Sequence, residues 1–129
     1  MTERTVFFLS DQTGVTAETL GHSLLTQFTG QEFRQVTLPF IDSDDKANEA
    51  VARINAAGKA DTLRPIVFST LVQDNLRSIV READGLHLDI FDVFLQPLEV
   101  EFQQESTHEP GRAHGMTDIL VHKGPEHVV

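Results

Sequence analysis

The stretch of this sequence richest in groups that could do chemistry is Ser10-Asp11-Gln12-Thr13-Gly14-Val15-Thr16-Ala17-Glu18. Ser10, Thr13 and Thr16 bring hydroxyls, Asp11 a carboxylate, and Gly14 lets the backbone approach a ligand closely. It lies where a first strand gives way to a first helix. In an open parallel sheet, ligands bind outside the carboxyl ends of the strands. A helix N-terminus at that place offers unpaired N–H groups and a partial positive charge, suited to phosphate or another anion. Ser10, Asp11, Thr13, Gly14 and Thr16 are therefore the candidate anion site. The same residues also make a capped turn, with Thr13 or Thr16 satisfying the helix end and Asp11 holding the loop. Asp11 weighs on that side, because its charge repels an anion unless a cation or a donor intervenes.

Sharper motifs fail on spacing. The eight glycines include no Gly-x-Gly, so the dinucleotide fingerprint is absent. The one Gly-Lys pair, Gly58-Lys59, has Arg53 where a phosphate-binding P-loop needs its first Gly. Asp42-Ser43-Asp44-Asp45-Lys46-Ala47 is a poor calcium loop, with Ala47 at the turn Gly and Arg53 at the bidentate position. It reads better as an acidic first turn that complements a helix dipole. A receiver-type phosphoacceptor domain wants paired acids after strand one and Asp after strand three, whereas strand three here ends in Ser69-Thr70. His108, His114, His122 and His127 show no i, i+4 pair, so no metal ligand set is assigned. His22 reads as a boundary residue of the first helix, and no Ser-His-Asp set is supported by spacing.

The elements that would position these residues are legible as an alternation. Val6–Ser10, Gln35–Ile41, Pro65–Leu71 and Leu86–Phe91 are short, β-branched or aromatic, and bounded by turn residues, as strands are. Val6-Phe7-Phe8-Leu9 and Ile66-Val67-Phe68 are continuous apolar runs, expected of parallel strands covered on both faces. Helical stripes fall in Thr16–Phe28 (Ala17, Leu20, Leu24, Phe28) and in Lys46–Ala57, which Gly58 should stop. Two more fall in Asn75–Asp84, with Asp74 and Gly85 as cap candidates, and in Phe94–Gln104, with Leu95, Leu98, Phe102 and Pro97 in its first turn. The order β-α-β-α-β-α-β-α predicts a doubly wound parallel sheet of about four strands with helices on both faces, flavodoxin-like or Rossmann-like. The predicted domain is 1–104. Residues 105–129, with His108, His114, two Pro and no sustained period, read as an extended connector.

Composition fits a single domain. The chain has 129 residues, 40% hydrophobic and 23% charged, close to the globular average. Ten Lys and Arg against twenty Asp and Glu leave a net charge of −10, which argues against nucleic acid and anionic membranes as partners. There is no Cys, which excludes disulfides, thiolate metal sites and a Cys nucleophile. The first ten residues make neither a secretion signal nor a membrane span, so the expected location is the cytoplasm.

The pattern Ser-Asp-x-Thr-Gly-x-Thr-Ala-Glu at residues 10–18 resembles the N-terminal signature of the bacterial phosphoenolpyruvate synthase regulatory proteins, whose plant relatives regulate pyruvate, phosphate dikinase. Gln27-Phe28, Pro39-Phe40, Pro65-Ile66-Val67, Thr70-Leu71-Val72, Arg77, Glu109-Pro110-Gly111 and His114 match in register, so the resemblance covers about residues 5–116. It implies a bifunctional serine/threonine kinase and phosphorylase. Such a protein uses ADP to phosphorylate a Thr beside the catalytic His of its target, and phosphate to remove the group, releasing pyrophosphate. ADP, phosphate and Mg²⁺ are the implied ligands of the whole protein, and phosphoenolpyruvate synthase or pyruvate, phosphate dikinase is the implied partner. The family's P-loop lies in a C-terminal domain, reached through a His-Asp-Asp-Gly segment, and this sequence has neither. From near Asp118 onward, Ile119–Val129 is expected to leave the family pattern. The resemblance thus implies the N-terminal portion of such a protein, with no catalytic residue and no bound cofactor of its own. Its expected work is target docking, homodimer formation or phosphate sensing, with Arg77, Arg112 and His114 as partner-facing or inter-domain candidates. The competing reading is a stand-alone α/β binding module with an anion site at the first strand-helix turn.

Overall fold

A computed structural model of the chain describes residues 3–107. Four strands alternate with four helices: β1 (Arg4–Leu9), α1 (Val15–Leu25), β2 (Phe33–Leu38), α2 (Asp44–Asp61), β3 (Ile66–Ser69), α3 (Asp74–Val80), β4 (Leu86–Asp89) and α4 (Ile90–Phe102). The sheet is fully parallel in the order β2-β1-β3-β4, with Phe7 opposite Val36 and Val67, and Phe68 opposite Leu88. That order coincides with the first four strands of the flavodoxin-like arrangement, so of the two expected alternatives the flavodoxin-like one is found. The chain turns back between β2 and β3, which makes the crevice between the ends of β1 and β3 the switch point.

Strand alternation builds two cores. Phe7, Leu9 and Val67 face one way and pack on Ala47, Ala50 and Ile54 of α2 and Leu76 and Val80 of α3. Val6, Phe8 and Phe68 face the other way, with Ala17 and Leu25 of α1 and Ile90 of α4. The Phe8 and Phe68 rings stack at 5.7 Å between centroids. On α1 the buried residues are Ala17, Gly21 and Leu25, whereas Leu24 and Phe28 of the expected stripe are exposed. The cause is Gly21: a Cβ there would come within 2.4 Å of Phe8 Cε1, so the helix meets the sheet through its small residues. Below the sheet, buried Asp61 accepts a 2.6 Å hydrogen bond from Thr5 Oγ1 and pairs with Arg34 at 3.5 Å, tying the end of α2 to β1 and β2.

Several boundaries depart from expectation. α1 ends at Leu25, and α3 ends at Val80 with Arg81 at its cap position, so Gly85 is not its cap; a Cβ at Gly85 would instead lie 3.0 Å from Pro65 O. Gly58 does not stop α2, which continues to Asp61 and ends at Thr62 in the left-handed region (φ 55°). Gly58 serves close approach instead, since a Cβ would lie 3.1 Å from Pro65 Cδ. Asp74 is the first residue of α3 rather than its cap; Gln73 holds the cap position. The fourth helix starts at Ile90, four residues before the expected Phe94, because Asp89 caps it through a 3.0 Å hydrogen bond from Asp92 N. Pro97 consequently lies inside that helix rather than in its first turn. No helix among the described residues is long and apolar enough to cross a membrane.

Candidate functional site

The loop from Ser10 to Gly14 leaves the carboxyl end of β1 at the switch point, between the β2–α2 and β3–α3 loops. Its framework is largely backbone. Ser10 N donates to Leu38 O at 3.2 Å, Ile41 N to Ser10 O at 2.9 Å, and Phe40 N to Gln12 O at 2.9 Å. The Ser10 hydroxyl accepts from Gln12 N at 3.0 Å, closing a tight side-chain turn. On the other flank Thr70 N donates to Leu9 O at 3.0 Å, and Leu71 N donates to Ser69 Oγ at 3.3 Å. Ser10, Asp11, Ser69 and Thr70 are all buried, so the floor of the crevice is polar but enclosed.

Gly14 decides how α1 begins. It occupies the cap position at φ 92°, where a side chain is strained, and an added Cβ would lie 2.7 Å from Thr37 Cγ2. Having no side chain, Gly14 itself makes no side-chain cap to the first turn of α1. Thr13 and Thr16 are exposed on either side of it. Neither hydroxyl caps the helix, which separates the capped turn expected above from the turn found. Ala17 is fully buried against the sheet, and the Glu18 carboxylate accepts a hydrogen bond from the Thr37 hydroxyl, fastening α1 to β2. Within the nine-residue pattern, then, Ser10, Gly14, Ala17 and Glu18 have structural work, while Thr13 and Thr16 present free-standing hydroxyls.

Arg77 is not at this loop. It sits on α3, 12% exposed, with its guanidinium 2.8 Å from Asp89 Oδ2 and 3.0 Å from Asp92 Oδ1. Burial alone would lower its pKa, but the charges and hydrogen bonds of Asp89 and Asp92 outweigh that and raise it above the ordinary arginine value. It locks α3 to the β4–α4 junction, a role the sequence did not suggest because neither acid is near it in the chain. Arg112 and His114 lie outside the described residues. Among the described residues no group of three or more His, Asp or Glu side chains is placed to hold a metal ion.

The fold is a parallel α/β domain of flavodoxin-like strand order, with helix α1 beginning at Gly14 beside its switch point. The sequence matches the family model described as kinase/pyrophosphorylase over residues 6–123. The chain therefore belongs to the kinase/pyrophosphorylase family. It is 56% identical over 120 residues to a protein of Janthinobacterium sp. (strain Marseille) named "Putative phosphoenolpyruvate synthase regulatory protein", covering 93% of this chain and 42% of the relative. Proteins of the same name from Alcanivorax borkumensis and Marinobacter nauticus are 54% and 46% identical over 116 and 127 residues, covering 90% and 98% of this chain and 43% and 47% of theirs. The chain thus spans less than half the length of these relatives. The family match runs on to residue 123, past Asp118, where the pattern was expected to end.

Proposed function

We propose that this chain is the α/β portion of a regulator that phosphorylates a threonine of phosphoenolpyruvate synthase from ADP and removes the group by phosphorolysis. The family match and the names of its relatives support the regulatory reading. In the forward direction ADP passes its terminal phosphoryl group to the Thr hydroxyl and leaves AMP. In the reverse direction phosphate attacks the phosphothreonine and leaves as pyrophosphate. The chain's own part is to hold phosphate. The N-terminus of α1 at Gly14, where the cap residue has no side chain to occupy the first turn, supports that assignment. Its first N–H groups would donate to the anion, and the Thr13 and Thr16 hydroxyls would close around it.

Transfer itself needs more than this portion offers. Phosphoryl transfer depends on phosphates and Mg²⁺ held in place. The sequence has no P-loop, and among the described residues no set of three or more acidic side chains is placed to hold a metal ion. The described residues therefore do not fit a Mg²⁺–ADP site.

The 129-residue chain should accordingly leave phosphoenolpyruvate synthase unmodified when incubated with ADP and Mg²⁺, read by phosphothreonine mass spectrometry. It should still respond to phosphate. A ligand at 100 times its Kd stabilises the native state by about 2.7 kcal/mol, which raises Tm by several degrees at this size. Thr13→Val with Thr16→Val should abolish the shift with phosphate or pyrophosphate. A Tm indifferent to both anions in the parent chain would leave the loop a purely structural turn.

A further inference from the structure

Helix α4 has one polar face, formed by Asp92, Gln96 and Glu99 at i, i+4 and i+7, and is largely apolar elsewhere. Ile90 and Phe91 pack on the sheet, yet Val93, Phe94, Leu98, Val100 and Phe102 are open to solvent, from 46% at Leu98 to 78% at Val100. Phe94, Leu98 and Phe102 continue at four-residue steps the row that begins with buried Ile90, which makes an exposed apolar ridge along the helix. An apolar row of this kind normally faces a core. Leu86 and Leu88 of the edge strand β4 face the same side of the sheet, by their register with Ile66 and Phe68, and are also incompletely covered. Together these side chains expose on the order of 600 Å² of apolar surface, at the top of the range for the largest patch on a monomer.

Charge narrows what can cover this face. Between Arg81 and Arg112 the sequence has no Lys or Arg, and Glu101 and Glu105 stand exposed beside the ridge. A second copy would bring one acidic rim against another, in a chain already at −10. The fitting surface is apolar at its centre and basic at its edge. Length supplies the source. Relatives run to more than twice the span matched here, with 42% of the Janthinobacterium protein covered. α4 is the last element among the described residues, and the family match continues to residue 123. Polypeptide joined to the chain by a tether of that length meets the ridge at high effective concentration.

We infer that the exposed apolar ridge of α4 is the seat of the polypeptide that follows the matched stretch in full-length relatives, received through an apolar centre and a basic rim. This goes beyond the phosphate reading of the β1–α1 loop and is independent of it. The absence of Cys allows a direct test. Leu98→Cys is labelled with a maleimide in the 129-residue chain and in a chimera of residues 1–123 with the remainder of the Janthinobacterium relative, each scaled to its rate in guanidinium. The expected result is near-denatured reactivity in the chain and at least tenfold slower labelling in the chimera, with Glu101→Lys plus Glu105→Lys restoring much of the rate. Hydroxyl-radical footprinting of the segment aligned with residues 90–102 in the intact Janthinobacterium relative decides the matter if the chimera does not fold. Equal, fast labelling in chain and chimera, or oxidation of that segment in the intact relative, overturns the inference. Labelling already slow in the chain and falling further with its concentration overturns it in favour of a second copy. Protection that appears only when phosphoenolpyruvate synthase is added overturns it in favour of the target.

Discussion

The nine-residue pattern shows how structural and functional demands share one loop. Its Gly is required by backbone geometry, its Ala by contact with the sheet, its Glu by a hydrogen bond to Thr37. The presence of a loop of this kind was legible in the sequence, since hydroxyls, Asp and Gly between a strand and a helix leave few alternatives. Which residue did which work was not, because Thr37 lies on another strand and only folding brings it beneath Gly14. That division predicts two separable phenotypes. Gly14→Val forces a β-branched residue into the left-handed region against Thr37 Cγ2, and should cost about 1–3 kcal/mol in a urea melt. Thr13→Val and Thr16→Val touch exposed hydroxyls and should change stability by less than about 0.5 kcal/mol while removing any response to phosphate. If the Thr variants destabilise as much as the Gly variant, the hydroxyls are structural and the loop has no spare donors.

At the scale of elements, alternation of strand and helix patterns was enough to give the count and order, because apolar runs and helical stripes are local properties of the chain. Leu24 and Phe28 of the first expected stripe, and Leu98 and Phe102 of the fourth, are nevertheless exposed. Boundaries were set by partners distant in sequence. Gly58 is a helix residue because Pro65 crosses it closely, and α4 begins early because Asp89 both caps it and receives Arg77. Asp89→Ala should therefore cost more than the roughly 1 kcal/mol of an ordinary cap, since it also strips the nearly buried Arg77 of its best partner. Arg77→Met should cost about 1–3 kcal/mol, the scale of lost hydrogen bonds to a charged group. In the double variant the two costs should fall short of their sum, because both remove one junction. The pH dependence follows from the raised Arg77 pKa. A group held above its unfolded value stabilises fully below that value, and the contribution is lost only as pH rises through the folded one. Between pH 6 and pH 9, at about the extremes of ordinary handling, the Arg77 share of stability should stay flat. A steep change of the Arg77→Met cost across that window would mean that the guanidinium is not what holds the junction.

The whole molecule is two cores of unequal completeness on one sheet. The α2–α3 side buries Phe7, Leu9, Ile54, Val67, Leu71 and Leu76 nearly to exclusion of solvent, and both central strands belong to it. The α1–α4 side has a smaller core and ends in a helix whose apolar ridge Phe94, Leu98 and Phe102 is bare. Two inner strands shared by both layers should make unfolding cooperative for the sheet and for α1–α3. The chain should therefore melt in one transition, followed by far-UV circular dichroism, without any added polypeptide. Local stability should nevertheless be graded. Amides of β1 and β3 should exchange only through global unfolding, while those of α4, with one covered face and an internal Pro97, should exchange through a cheaper local opening. The junction at Asp89 marks where the two regimes meet, so Asp89→Ala should speed exchange in α4 far more than in α2. Phe94→Asp with Leu98→Asp should leave the main transition nearly unchanged, because those side chains are exposed in this chain. A loss of several degrees in Tm from that pair, or α4 amides as slow as those of β1, would mean that α4 is part of the cooperative core and that its outer face contributes to folding here.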